Sequence, residues 1–257
     1  MTSSSDILLV TTDGPVATLT MNRPTKRNAM CDELLEALEA FFTKPPEGVR
    51  AVILTGTAGH YCSGLDLSEH VSRDAEGTMR HSRNWHRVMD IIQFSGLPVV
   101  SAMFGAVIGG GLELATSTHV RIAEPSTIFQ LPEGMRGIFV GGGATVRVGR
   151  IIGSDRMCEM MLTGRKYNAE EGLALGLTHY SVGEGEALAL AQKLAGKIAN
   201  NASLSNYMMI QAISRISDMS KSDGLFAESL CAAVSQTSDD AEEGLRSFLE
   251  KRRPVFR

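Results

Sequence analysis

Two glutamates, Glu113 and Glu133, each lie beside a glycine-rich turn: Gly109-Gly110-Gly111-Leu112-Glu113-Leu114, and Leu131-Pro132-Glu133-Gly134 with Gly141-Gly142-Gly143 shortly after. A carboxyl group in apolar company resists ionisation, so two of them in different surroundings can divide acid and base roles. Glycine lacks a Cβ, which lets backbone N–H groups approach a substrate oxygen closely. Together these residue types suit chemistry at a carbonyl. The triplet at 109–111 stands between a β-like run and a helical segment at 112–117, and the N–H groups of a helix start are unpaired and positively biased. A second glycine turn, Tyr61-Cys62-Ser63-Gly64-Leu65-Asp66-Leu67, also follows a β-like run. Two such turns can aim two donors at one oxygen as it becomes negative. The triplet taken alone reads equally as a tight strand-to-helix packing point. It is neither a dinucleotide fingerprint nor a P-loop, because the G-x-G-x-x-G order and the G-K-[ST] ending are both missing.

Other polar residues make weaker sites. His81 and His86 are five apart, which puts them on different faces of a helix and argues against a metal pair. No metal is expected. Cys62, with His60 two residues earlier, invites a nucleophilic-thiol reading, but no orienting partner is evident and buried cysteine commonly serves as a small apolar filler. The four cysteines, Cys31, Cys62, Cys158 and Cys231, show no paired spacing, which fits a reducing compartment.

The elements that must position these groups follow from periodicity. Runs at 16–21, 51–55, 99–103 and 120–123 are β-rich and end near turn formers. The stretch 32–42 places Leu34, Leu35, Leu38, Phe41 and Phe42 at helical spacing with acidic residues opposite. Strands alternating with helices argue for an α/β core. After about residue 150 the pattern turns helical, at 154–162, 169–175, 186–200, 204–217 and 224–251, with one further strand candidate at 179–182. The last stretch carries Leu225, Phe226, Leu230, Val234, Leu245, Phe248 and Leu249 for burial against the core or another subunit. The simplest division is a core over 1–200 and a helical, oligomer-forming region over 201–257. The apolar stretch 97–115 contains Pro98, several glycines and Glu113, so a strand, loop and helix suit it better than a membrane span.

At 257 residues, 43% hydrophobic and 21% charged with a net charge of -4, the chain is composed like a soluble globular protein able to bury a large core. The scattered basic residues give no nucleic-acid footprint; the one cluster, Lys251-Arg252-Arg253, reads as a solvated tail or as a hold on an anionic ligand. The N-terminus lacks the basic segment and apolar run of a secretory signal, and a cytoplasmic location is expected.

Over nearly its whole length the sequence resembles the enoyl-CoA hydratase/isomerase (crotonase) superfamily. The resemblance rests on Asn22-Arg23-Pro24 with Lys26-Arg27-Asn28-Ala29, on 51–56 leading into 61–67, and on Leu97-Pro98-Val99-Val100 with Gly105 and the 109–113 run. It continues through Pro132-Glu133 and Leu162-Thr163-Gly164 to 169–177. It implies a spiral of β-β-α units followed by C-terminal helices, assembled as a homotrimer or as a hexamer of paired trimers. It implies an acyl-CoA thioester as substrate, with coenzyme A entering as part of the substrate and no separate cofactor.

Carried over by position, the oxyanion hole is the backbone N–H groups of Leu65 and Gly110. The backbone carbonyls of Ser63 and Leu65 face the adenine, Lys26 or Arg27 lies near the phosphates, and Asp66 belongs to the same binding turn. Both glutamates of the hydratases are present, implying that Glu113 deprotonates water for attack at C3 and Glu133 protonates C2. An isomerase needs only the counterpart of Glu133, a thioester hydrolase would direct attack to the carbonyl, and a silent acyl-CoA-binding subunit would need neither carboxylate. The run 136–143, with 105–108 and 131–134, resembles the (methylthio)acryloyl-CoA hydratase branch, whose hydrated product breaks down to acetaldehyde, methanethiol and CoA. The helical stretch 79–94 is expected to cover the acyl group, with Trp85, Met89 and Phe94 either shaping the pocket or serving as ordinary core. Lys251 or Arg252 is expected to reach a neighbouring subunit's CoA.

Overall fold

Strand β1 (Leu8–Asp13) turns back as β2 (Val16–Met21), an antiparallel pair from which the remaining strands of the main sheet continue in parallel. The structure, a computed structural model, describes residues 6–69 and 72–256. The segment read for a secretory signal lies almost wholly outside them. Helix α1 (Asp32–Thr43) buries Leu34, Leu35, Leu38, Phe41 and Phe42, as the periodicity requires, and Asp32 and Glu33 in its first turn complement the helix dipole. Strand β3 (Ala51–Gly56) follows, then α2 (Ala75–Phe94), capped by the Asp74 side chain accepting from the Gly77 N–H.

The next elements are β4 (Val99–Met103), β5 (Ala106–Ile108), α3 (Gly110–Thr116), β6 (Val120–Ala123), β7 (Ile128–Gln130) and α4 (Ala144–Ile152). They are followed by α5 (Ser154–Thr163), β8 (Tyr167–Asn168), α6 (Ala169–Leu175), β9 (Tyr180–Ser181), α7 (Ala187–Ala199), α8 (Ser203–Ile216), α9 (Lys221–Gln236) and α10 (Asp239–Leu249). The larger sheet has the order β1-β2-β3-β4-β6-β9 and the smaller β5-β7-β8. Each pass of the chain lays one strand in the larger sheet, then a short strand in the smaller one, then a helix: β4-β5-α3, and again β6-β7 before α4. The first pass does the same, because Cys62 after β3 forms a parallel bridge to Val107 of β5. This is the spiral of β-β-α units that the resemblance implies.

Strand β3 is buried at every position. One of its faces belongs to the main core with Val52 and Leu54, the other packs Ile53 against α7. Helix α7 presents Ala187, Ala191, Ala195 and Ala199 to the sheet, a small residue every fourth position, so helix and sheet approach closely.

The sequence reading departs from the structure in particular places. The 224–251 stretch is two helices, because Ser238 caps a new start by accepting from the Ala241 N–H at 3.2 Å. Helix α4 escaped detection since three glycines precede it and the β-branched Thr145, Val146 and Val148 weaken its helical signal. Short strands β5, β7 and β8 offer too few residues for an alternating pattern, and β1 is exposed or half-buried beyond its first residue. The 97–115 stretch is β4, β5 and the start of α3, and among the described residues no helix is long and apolar enough to cross a membrane.

Candidate active site

Among the described residues the N–H groups of Leu65 and Gly110 have no acceptor, and the reasons are local. Met30 bridges the 61–67 turn from one side, donating to the Gly64 carbonyl at 2.7 Å and accepting from the Asp66 N–H at 2.9 Å, so Leu65 between them faces the other way. Gly110 is the first residue of α3, where an N–H has no carbonyl to reach. The two turns meet at Gly64: a Cβ there would lie 2.7 Å from the Ile108 carbonyl oxygen and 3.2 Å from the Gly110 nitrogen, and its φ of +95° also demands glycine. The glycine triplet therefore serves close approach and exposed donors together.

Glu113 lies in the first turn of α3 and is 3% exposed. Its Oε1 accepts from the N–H groups of Gly142 at 2.8 Å and Ala144 at 3.0 Å, where α4 begins. Burial pushes its carboxyl up, while those amides and the Arg147 guanidinium act in the opposite sense. Glu133 opens a single 3-10 turn, Glu133–Arg136. Its Oε2 is buried with no hydrogen-bond partner among the described residues, and desolvation, aided by the charge of Glu113, pushes its carboxyl up to about 7. The two carboxyl groups thus differ in their surroundings: one is met by the amides at 142–144 and the Arg147 guanidinium, the other has an oxygen with no hydrogen-bond partner among the described residues. Gly109 makes this possible, since a Cβ there would come within 2.9 Å of Glu133 Oε1 and its φ is +53°.

Both glutamates, Gly110, Leu65, Ser63, Asp66, Lys26, Arg27 and Trp85 line one cavity of about 490 Å³. The fold therefore gathers the glutamates, both glycine turns and the rim residues singled out for the site. Their side chains differ in what they have left to offer. The Asp66 carboxylate is engaged by Arg23 at 2.9 Å and by the Ser68 N–H and hydroxyl at 3.0 and 2.6 Å, which holds its carboxyl below the usual range. Lys26 Nζ donates to Ser68 Oγ at 2.7 Å and stays half exposed at the rim. Trp85 packs its ring edge against Gly110 and Gly142, where a Cβ would meet it at 2.7 and 3.0 Å, and its indole N–H is buried without an acceptor among the described residues. Met89 belongs to the core, and Phe94 stacks under the Arg215 guanidinium. Of the three aromatic or sulfur candidates on α2, only Trp85 lines the cavity.

Cys62 is fully buried and its thiol is pushed up to about 12, which removes the thiolate a nucleophile needs. His81 instead faces Asp32 and His86 lies beside Ser82; among the described residues no group of His, Cys, Asp and Glu side chains could hold a metal ion. Arg252 is committed to Glu243 and Glu250, tying down the C-terminal tail. The sequence reading missed Ser82 and Arg147, whose contacts with the 141–143 loop depend on how α2 and α4 cross.

A family model described as enoyl-CoA hydratase/isomerase matches residues 11–257. The chain belongs to the enoyl-CoA hydratase/isomerase family. Enoyl-CoA hydratase EchA19 of Mycobacterium tuberculosis is 31% identical over 96% of this chain and 95% of its own length. The 2,3-dehydroadipyl-CoA hydratase of Escherichia coli is 31% identical, covering 97% of this chain and 98% of that protein. The solved enoyl-CoA hydratase of Bacillus anthracis superposes with a TM-score of 0.91 at 30% identity, covering 97% of this chain and 98% of that one. This membership supports an enzyme acting on an acyl-CoA, and the fold is the crotonase fold.

Proposed function

We propose that the protein is an enoyl-CoA hydratase that adds water across the C2=C3 bond of an α,β-unsaturated acyl-CoA. The observation carrying this reading is that two buried carboxyl groups with different hydrogen-bond surroundings share one cavity with two backbone N–H groups that have no acceptor among the described residues. The thioester carbonyl accepts from Leu65 and Gly110 N–H, which favours the enolate over the ground state. Glu113, whose ionised form the amides at 142–144 and Arg147 favour against the effect of burial, takes a proton from water as the oxygen bonds to C3, and the C2=C3 electrons move into the enolate. When the enolate collapses, C2 takes a proton from Glu133. A carboxyl near 7 is well matched to hold that proton and release it at neutral pH.

Lys26 and Arg27 at the rim suit the phosphates of CoA, and the carbonyls of Ser63 and Leu65 suit the adenine amine. The finer substrate, 3-methylthioacryloyl-CoA, is supported by the likeness of the 136–143 run. The exposed apolar side chains of α9 and α10 support a homotrimer or hexamer built through the 201–257 region. A Δ3-Δ2 isomerase would use Glu133 alone, and the full set of bonds made to Glu113 speaks for the hydratase.

The test is mass spectrometry of products from crotonyl-CoA and 3-methylthioacryloyl-CoA, with free thiol followed in parallel, for the parent, Glu113→Ala and Glu133→Ala. A product heavier by one water, with kcat reduced about a thousandfold or more in both variants, is expected. Isomerisation that survives Glu113→Ala would point to the isomerase. Thiol release from the second substrate is expected if the finer reading holds, and its absence would reject that reading alone.

A further inference from the structure

Arg147, on α4, keeps only a tenth of its side chain exposed, and its guanidinium reaches back to α2. Nε donates to Gln93 Oε1 at 2.8 Å, Nη2 to Asp90 Oδ1 at 2.6 Å and Nη1 to the Gly142 carbonyl at 3.4 Å. From the same helix Ser82 donates to the Gly141 carbonyl at 2.6 Å. Consecutive carbonyls of the 141–143 loop are thus held from α2, directly or through Arg147.

A trans peptide unit is planar, with its C=O and N–H pointing in opposite directions. The carbonyl of Gly141 and the N–H of Gly142 belong to one such unit. Fixing the first toward Ser82 aims the second at Glu113, where the bond is 2.8 Å. The Gly142 carbonyl and the Gly143 N–H form the next unit, and the Gly143 amide also stabilises the Glu113 carboxylate. Glycine is required here: Gly143 has a φ of +109°, a Cβ on it would collide with Arg147 Nη1, and a Cβ on Gly142 would lie 2.5 Å from Glu113 Oε2.

We propose that Arg147 is a positioning residue for the Glu113 carboxylate: through the Gly142–Gly143 peptide plane, beside the one that Ser82 holds, it helps fix where that carboxylate stands, and it supplies the positive charge that faces it. The catalytic consequence rests on the role proposed above for Glu113. The charged groups around the pair are Glu133 and Arg136 from the 3-10 turn, Arg150 from α4, and Asp90, His86 and Arg83 from α2. Asp90 is paired with Arg147 and Arg150 with Asp218. Glu133 and burial both oppose a charge on Glu113, so without Arg147 only the loop amides favour it.

The test compares the parent, Arg147→Gln and Arg147→Lys in two ways: the pH profile of hydration, and an infrared titration of the Glu113 carboxyl assigned by subtracting the Glu113→Gln spectrum. In Arg147→Gln the Glu113 band is expected to titrate at higher pH, and the acid limb of kcat to move with it. The loss of about tenfold or more below neutrality should shrink as pH rises, with KM changed less than about twofold. Lysine keeps the charge but not the planar fork, so it should restore the acid limb while leaving kcat low. An unmoved infrared titration in Arg147→Gln, or a loss uniform across pH, overturns the proposal. Should Arg147→Gln fail to fold, Asp90→Asn at the exposed end of the clamp is expected to lower kcat, and unchanged kcat overturns the positioning role. A parent without hydratase activity would sink the proposed function, while the infrared titration would still decide the clamp.

Discussion

The two walls of the cavity hold their carboxyl groups in opposite ways. On the α3–α4 side, Glu113 is enclosed by donors: the Gly142 and Ala144 amides, with Arg147 behind them. On the other side, a single 3-10 turn presents Glu133 with one buried oxygen unsatisfied. A buried carboxylate without donors pays the full desolvation penalty and keeps its proton, whereas one supplied with amides can stay charged at similar depth. Burial pushes both side chains up, yet their backbone surroundings differ, and that difference suits the proposed hydration.

The largest effect should come from breaking the enclosed wall. Gly142→Ala places a methyl group against Glu113 Oε2 and Cδ, at 2.5 and 2.9 Å, and forces either the carboxylate or the loop to move. A fall in kcat of about a hundredfold, with KM for the CoA ester little changed, is expected from steady-state kinetics. Retention of kcat within a few-fold would mean that the amides of α4 are dispensable and the contrast is incidental.

A middle-sized effect should appear in stability on the open wall. Glu133 has its folded-state titration raised from 4.5 to about 7, so the folded protein binds a proton there that the unfolded chain has already released. Stability from this group is complete below about pH 4.5 and is lost as pH rises through about 7, by up to about 3 kcal/mol. Glu133→Gln removes that loss. Thermal melts should show the variant gaining on the parent between these pH values and holding its advantage above, and parallel curves would indicate that Glu133 has no such strain.

The smallest effect on the chemistry should come from the C-terminal helices, which share no residue with the cavity lining. Phe248 and Leu249 are 80% and 79% exposed in the single chain. Phe248→Asp with Leu249→Asp should reduce the molar mass seen by light scattering if α10 joins subunits. A parent that is already monomeric would remove the oligomer from the account and leave the two-wall comparison untouched.

Much of the fold was legible because its strongest elements carry their own signal. Helix α1 shows its buried face in the spacing of five apolar residues, and β2, β3, β4 and β6 are rich in the branched residues that strands favour. Helix α4 was not legible, since the glycines that position Glu113 also hide the start of the helix. At the site, the glycine turns and two glutamates were visible as residue types, and family resemblance supplied their roles.

The sequence by itself determined which chemical groups exist and where the chain can bend without a Cβ. It could not determine how each carboxyl group would be surrounded, because that depends on donors about thirty residues away in the chain and on the depth of the finished cavity. Nor could it place Arg147: the Asp90, Gln93 and Gly142 contacts come together only when α2 and α4 pack. Backbone freedom is a local property and can be read along the chain; ionisation and aim are set by neighbours, and tertiary structure decides who those neighbours are.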